Sequence, residues 1–305
     1  MKSKFRLISA IAVSLLGAVT IANFRPVAQA QTAAPALQRD VQYGEAGGEK
    51  LFLNIYGADP KQKRPAIILI HGGGWVAGSR NDLDLLGQGV SALGYVGFSV
   101  GYRFAKDGKN RFPAQLDDVQ RAVRFVRAHA TDYGIDPNKI GAMGFSAGGH
   151  LVSLLGTMDT RDNSDPALAN YSSRVQCVVD VFGPTDFTAG LKVDPTITPG
   201  GANTQGDWLV NNFLGPLPEF ATNYTLASPI KHIDKKTVPF LILHGAKDNL
   251  VPVAQSTSFD EALRKAGIES KLVVFPNGGH GFGPEDTNTT NQLAIEFFKR
   301  HLQGN

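Results

Sequence analysis

The sequence predicts an α/β fold: a mostly parallel sheet with helices on both faces and a short cap-like insertion. Three observations predict it. Short apolar runs alternate with helix-period segments along most of the chain. The apolar runs are continuous, as strands buried on both faces require. Turn formers punctuate the junctions, with 34 Gly and 17 Pro among 305 residues.

The chain opens with Lys2, Lys4 and Arg6, runs uncharged from Leu7 to Ala22, and reaches Ala28-Gln29-Ala30. A basic start, a short apolar stretch and a small-x-small site are the parts of a secretory signal peptide. The uncharged run is short for a membrane span of about 20 residues, so an uncleaved anchor is the lesser reading. Residues 1–30 are therefore expected to be a leader. Residues 31–305 are expected to form one domain, secreted or periplasmic, with no stable membrane insertion after cleavage. The chain up to about Arg39 reads as a loose lead-in.

Leu51–Tyr56 and Pro65–Ile70 read as the first strands, the second running into His71-Gly72-Gly73-Gly74-Trp75. Asp82–Leu93 has helical spacing and stops at Gly94. Tyr95–Val100 is a strand. Pro113–His129 is a helix with acids early and bases late, as the helix dipole favours. Lys139–Met143 is a strand entering Gly144-Phe145-Ser146-Ala147-Gly148-Gly149, and a helix follows from His150 to about Met158. Val175–Phe182 and Pro239–His244 are strands, and Cys177 in the first of them reads as a core position. Ala254–Ala266 is helical, Ser270–Phe275 a strand and Asn291–Leu302 a closing helix. Residues 183–229 hold no long periodic segment and read as a cap-like insertion over the sheet.

Charge excludes more than it suggests. There are 30 Lys+Arg and 27 Asp+Glu, but four of the bases and none of the acids lie in the leader, so the remainder is close to neutral. No nucleic-acid partner is expected on that balance. Arg121, Arg124 and Arg127 read as a solvated helix face. One Cys excludes a disulfide framework, no His/Cys ligand spacing points to a metal, and no cofactor is expected.

The chemistry sits in four loops. Gly144-x-Ser146-x-Gly148 matches the nucleophile elbow, in which a strand turns sharply into a helix and lifts the Ser hydroxyl into the open. Chance supplies roughly 0.2 such matches in this composition, so the strand before and the helix after carry the weight. His71-Gly72-Gly73-Gly74 is rarer, at roughly 0.01 chance matches, and leaves N–H groups unshielded where an oxyanion could develop. Gly73, Gly74 and Ala147 are the candidate donors. Asp248 and His280 follow in chain order, each in a loop after a strand, where open α/β sheets place ligands. His280 would take the proton of Ser146, and Asp248 would hold the imidazole. Asp186 is the rival acid. His71 reads as a brace for the glycine loop, and His150 and His244 as structural. Trp75, Phe145, Phe182, Trp208 and Phe282 are the candidate substrate-binding aromatics.

Taken in order, His71–Trp75, Phe112–Asp118, Gly144–Leu151, Pro239–Asp248 and Gly279–Phe282 resemble the α/β-hydrolase superfamily in its hormone-sensitive-lipase-like branch. Within it the chain is most similar to bacterial esterases of the feruloyl-esterase and acetyl-xylan-esterase-like group. The resemblance covers about residues 40–302. It implies Ser146 as nucleophile, Asp248 as acid, His280 as base, and Gly73, Gly74 and Ala147 as oxyanion donors. It also implies a secreted serine esterase acting through an acyl-enzyme on short-chain acyl esters, or on acetyl or feruloyl esters of polysaccharides. The segment between Val175 and Pro239 departs from the pattern, since it matches no helical cap. Two other readings stay open: a prolyl-oligopeptidase-like serine peptidase, and a non-catalytic α/β-hydrolase-fold binding protein.

Overall fold

The computed structural model describes residues 36–191 and 204–304. The expected leader, Met1–Ala30, and residues 192–203 of the insertion lie outside the described residues.

Eight strands form one sheet: β1 (Leu37–Ala46), β2 (Glu49–Tyr56), β3 (Arg64–Ile70), β4 (Val96–Val100), β5 (Ile135–Phe145), β6 (Cys177–Val181), β7 (Phe240–Gly245) and β8 (Ser270–Phe275). Their spatial order is β1-β2-β4-β3-β5-β6-β7-β8. The pairs β1–β2 and β2–β4 are antiparallel and every other pair is parallel. Among the described residues the α-helices are α1 (Asp84–Ala92), α2 (Ala114–Ala128), α3 (Ala130–Tyr133), α4 (Ala147–Thr157), α5 (Thr204–Leu214), α6 (Ala221–Leu226) and α7 (Ala254–Lys265) between the strands, and α8 (Pro284–Phe298) after the last.

The period of two along a strand divides the core between the faces of the sheet. Ile68 and Ile70 of β3 pack with Leu116 and Val123 of α2, Leu151 and Leu155 of α4, and Phe259 of α7. Ile67 and Leu69 face the other way, to Val90 of α1 and to Phe297 and Phe298 of α8. Both faces are thus covered, which explains why β4, β6 and β7 are buried along their whole length and read as apolar runs broken only by Ser99, Asp180 and His244. Cys177 is buried in β6, as expected.

Four sequence expectations are corrected. The lead-in read as loose up to about Arg39 becomes strand from Leu37. Its residues are mostly polar and exposed, with Tyr43 as the buried one, so an edge strand left little apolar signal. Residues 183–229 are not without periodicity: α5 buries Gly206, Val210, Phe213 and Leu214, one helical face, and α6 follows. Arginines 121, 124 and 127 are not a solvated face. The Arg124 guanidinium is buried and donates to the carbonyls of Asp162, Leu168 and Tyr171, while Arg127 donates to those of Pro137 and Arg174. Their fork geometry ties the long loop before β6 to α2. Helix α8 also begins earlier than its apolar pattern, because its first turns are polar, with Glu285 and Asp286 at the positive end of the dipole. Among the described residues no helix is long and apolar enough to cross a membrane.

Candidate active site

The loops after β3, β5, β7 and β8 leave the carboxyl ends of parallel strands and converge there. A single residue, Ser146, separates β5 from α4. Its φ of 54° and ψ of −118° lie outside the helical and strand regions. Such a conformation costs a non-glycine residue on the order of 1–3 kcal/mol, and the surroundings enforce it. The Ser146 N–H donates to the Val181 carbonyl at 2.9 Å, tying the elbow to β6. A Cβ at Gly144 would lie 2.2 Å from the Gly148 carbonyl oxygen, so the turn closes only without one.

Ser146 Oγ lies 2.8 Å from His280 Nε2, and His280 Nδ1 lies 2.8 Å from Asp248 Oδ2. An acceptor on one side of the imidazole and a donor on the other fix the neutral tautomer: Nδ1–H donates to the carboxylate and Nε2 accepts from the serine hydroxyl. Asp248 is buried, and its Oδ1 accepts the N–H groups of Leu250 (2.9 Å) and Val251 (2.8 Å). Burial pushes its pKa up, but hydrogen bonds from His244 and His280 outweigh that and hold the carboxyl well below the usual range. It is an anion at every working pH. Asp186, the rival acid, instead accepts from Thr188 and faces Lys231 at 3.5 Å.

The glycine loop passes over the elbow. At Gly73 a Cβ would lie 2.1 Å from the Ala77 carbonyl oxygen, and the residue has φ +109°, so the sharp bend there needs glycine. Gly74 and Ser146 line the same small pocket. The Ala147 N–H is the first of α4 and has no carbonyl within its own helix to bond. His71 braces the loop as expected. Its Nδ1–H donates to the Gly72 carbonyl at 2.7 Å and its ring stacks on Tyr102 at 4.4 Å. Burial pushes its pKa down to about 4, so it carries no charge at neutral pH. His150 is also structural: it accepts from the Trp75 indole N–H at 3.1 Å and donates to the Ala227 carbonyl at 2.7 Å. That pair fastens the glycine loop to α4.

The aromatic candidates divide. Trp75 lines the pocket and stacks on Phe213 of α5 at 4.1 Å. Phe182 lies against the His280 ring at 4.9 Å, and Phe282 and Phe145 pack on Phe182, so these three support the imidazole from behind. Trp208 is corrected outright. It is half exposed on the outer side of α5, and its neighbours Gly206 and Leu209 line the pocket instead. Pro184, Leu191, Leu250 and Val251 complete the wall. These apolar residues were missed because loops give no periodic signal. Among the described residues no group of three His, Cys, Asp or Glu could hold a metal ion.

Residues 53–263 match the family model described as BD-FAE. The chain is 33% identical over 243 residues to the probable carboxylic ester hydrolase LipM of Mycobacterium tuberculosis, covering 77% of this chain and 53% of that protein. It spans between about half and three fifths of the length of the curated mycobacterial relatives it matches. Among solved structures it resembles Thermogutta terrifontis esterase 2 phosphonylated by sarin, with 28% identity, a TM-score of 0.74 and coverage of 90% and 98% of the two chains. The acetyl ester-xyloside bifunctional hydrolase of Caldicellulosiruptor lactoaceticus gives 27% identity, a TM-score of 0.71 and coverage of 85% and 95%. With a family model matched over most of its length and a sheet shared with these esterases, the chain belongs to the BD-FAE family and has the α/β-hydrolase fold.

Proposed function

We propose that the chain is a serine carboxylic-ester hydrolase acting through an acyl-enzyme. The observation that carries this reading is the unbroken hydrogen-bonded line from Ser146 through His280 to the buried Asp248. Ser146 Oγ attacks the ester carbonyl while its proton passes to His280 Nε2. The negative charge that develops on the carbonyl oxygen is met by the N–H groups of Gly73, Gly74 and Ala147. Asp248 stabilises the imidazolium, which then hands its proton to the departing alkoxide oxygen. Water, deprotonated by His280, attacks the acyl-serine, and Ser146 recovers its proton as the acid leaves.

The finer reading is a short acyl group, acetyl before feruloyl. The apolar space beside Ser146 holds a methyl-sized group, and Leu209 and Trp75 close it. The named activity of the Caldicellulosiruptor relative supports acetyl esters of xylose-based polysaccharide as a natural target. The composition of Met1–Ala30 supports export before action.

Ser146→Ala should abolish p-nitrophenyl acetate turnover and labelling by a fluorophosphonate probe while the circular dichroism stays unchanged. Retained turnover would refute the assignment. Across p-nitrophenyl acyl esters, methyl ferulate and acetylated xylan, acetyl substrates should give the highest kcat/KM, and a preference for ferulate would overturn the acyl reading.

A further inference from the structure

The penultimate residue of strand β7 is a histidine that the line from Ser146 to Asp248 does not itself require. His244 is completely buried, and both of its ring nitrogens have partners. Nδ1 lies 2.7 Å from Ser256 Oγ on α7. Nε2 lies 2.9 Å from the Val251 carbonyl oxygen and 3.2 Å from Asp248 Oδ2. Those last two atoms are acceptors only, so Nε2 carries a proton, and in the neutral ring Nδ1 accepts from the Ser256 hydroxyl. The neutral ring thus has one tautomer that fits, with its single donor divided between Asp248 and Val251.

Asp248 Oδ2 thus faces two histidines. His280 approaches at 2.8 Å and His244 at 3.2 Å, while Oδ1 is occupied by the N–H groups of Leu250 and Val251. Val251 closes a ring of contacts: its N–H grips Oδ1, and its carbonyl is gripped by the histidine that touches Oδ2. The carboxylate cannot rotate without breaking bonds at both oxygens. The titratable groups facing this cluster are Asp248 itself, His280 from the loop after β8, and Asp180 from β6, which acts on His244 through space.

We infer that His244 is a positioning residue of the reaction: its Nε2–H orients the Asp248 carboxylate toward His280 and moderates the negative charge that His280 experiences. The inference rests on the reading of Asp248 as the acid of an ester hydrolase. Loss of that donor leaves Asp248 more basic. The hydrogen-bonded line from Ser146 to Asp248 then becomes competent only at higher pH.

The test compares His244→Phe, His244→Gln and Ser256→Ala with the unaltered protein, using p-nitrophenyl acetate from pH 4.5 to 9. Active sites are counted with a fluorophosphonate probe, so misfolded enzyme does not enter kcat. His244→Phe keeps a flat ring but no donor. It should lower kcat per titrated site about tenfold, leave KM within twofold, and move the acid limb of kcat/KM up by about half a pH unit. His244→Gln can place an amide N–H near the position of Nε2 and should recover most of kcat and the original limb. Ser256→Ala frees the tautomer while keeping the ring, and should give a smaller shift in the same direction. A labelled His244→Phe enzyme with unaltered kcat per site and an unmoved limb would overturn the inference, as would equal losses in the Phe and Gln variants. Should His244→Phe fail to fold, Ser256→Ala decides, and an unmoved limb there also overturns it. A parent enzyme that neither labels nor turns over acetate refutes the esterase reading instead, a distinct result.

Discussion

Asp180 offers a stability test that is independent of catalysis. It lies on β6 beside Gly144 and is fully buried. Its Oδ2 accepts the Ser153 hydroxyl of α4 at 3.0 Å and its Oδ1 accepts the Gly183 N–H at 2.9 Å. Among the described residues no Lys or Arg pairs with it, and His244 acts on it only through space. Burial pushes its pKa from 3.8 up to about 6, partly offset by the bonds from Ser153 and Gly183. A raised carboxyl pKa means that the folded state binds the proton more tightly than the unfolded chain. Asp180 therefore favours folding most when protonated, and it costs stability as pH rises from about 4 through about 6. Two pKa units correspond to about 3 kcal/mol in full, of which about 2 kcal/mol falls between pH 4 and pH 8. Asp180→Asn is neutral at both. Its amide can keep the bond to Gly183, but one N–H has no evident acceptor, which costs about 1–2 kcal/mol at every pH. The absolute change is thus small, whereas its pH dependence is not. The variant should gain about 2 kcal/mol on the parent between pH 4 and pH 8, or about 5 °C in melting temperature for a chain of this size. Calorimetry of both proteins at the two pH values reads this difference directly. A parallel offset at pH 4 and pH 8 would refute the reasoning, because it would mean that the carboxyl is already ionised in the fold.

Three further outcomes follow from the geometry. Leu209→Ala opens the wall over Gly74 and should raise the butyrate-to-acetate ratio of kcat/KM by about tenfold, since each newly accommodated methylene is worth about 0.8 kcal/mol; competition assays with the two p-nitrophenyl esters measure it. Gly73→Ala drives a methyl into the Ala77 carbonyl and must displace the glycine loop, so kcat should fall by about 10²–10³ with little change in urea stability. Arg124→Lys replaces a fork that serves three carbonyls with one point charge; urea melts should show a loss of about 2–4 kcal/mol, and limited proteolysis should cut first between residues 159 and 174.

The sheet was legible where strands are buried on both faces, because there the physics asks for nothing except apolar side chains. Phe240–Gly245, buried throughout, appears within a residue of the expected bounds, and the part-buried edge strand Ser270–Phe275 appears with the expected bounds because its Leu272-Val273-Val274-Phe275 run is apolar. Strand β1 was not legible. An edge strand needs one covered face at most, and its polar, exposed side chains carry no pattern distinct from a loop. Helix α5 was legible in principle. Val210, Phe213 and Leu214 have the right spacing, but the Gly and Asn residues around them mask it. The buried arginines of α2 illustrate a different limit. A helical spacing of cations fits a solvated face and a buried clamp equally well, and only the carbonyls of a loop some forty residues away in the chain decide between them.

The candidate site divides on the same line. Ser146, Asp248 and His280 could be read from the chain because each sits in a turn whose glycines and position after a strand are local properties. The roles of Trp208 and His244 could not, because both depend on direction. Trp208 is one residue from a pocket-lining position, and on a helix one residue turns a side chain by about 100°, enough to send it to solvent. His244 lies one residue before the end of a strand whose other residues are apolar or glycine, and that alone carries information: a fully buried imidazole must find partners for both nitrogens or pay the cost of desolvation. Four residues on, the chain returns with Asp248, and three further on with the Val251 carbonyl. A polar residue closing a buried apolar strand is thus a sequence-level sign of a hydrogen-bonded cluster in the loop that follows. In this chain that cluster holds the carboxylate on which the orientation of His280, and through it the hydroxyl of Ser146, depends.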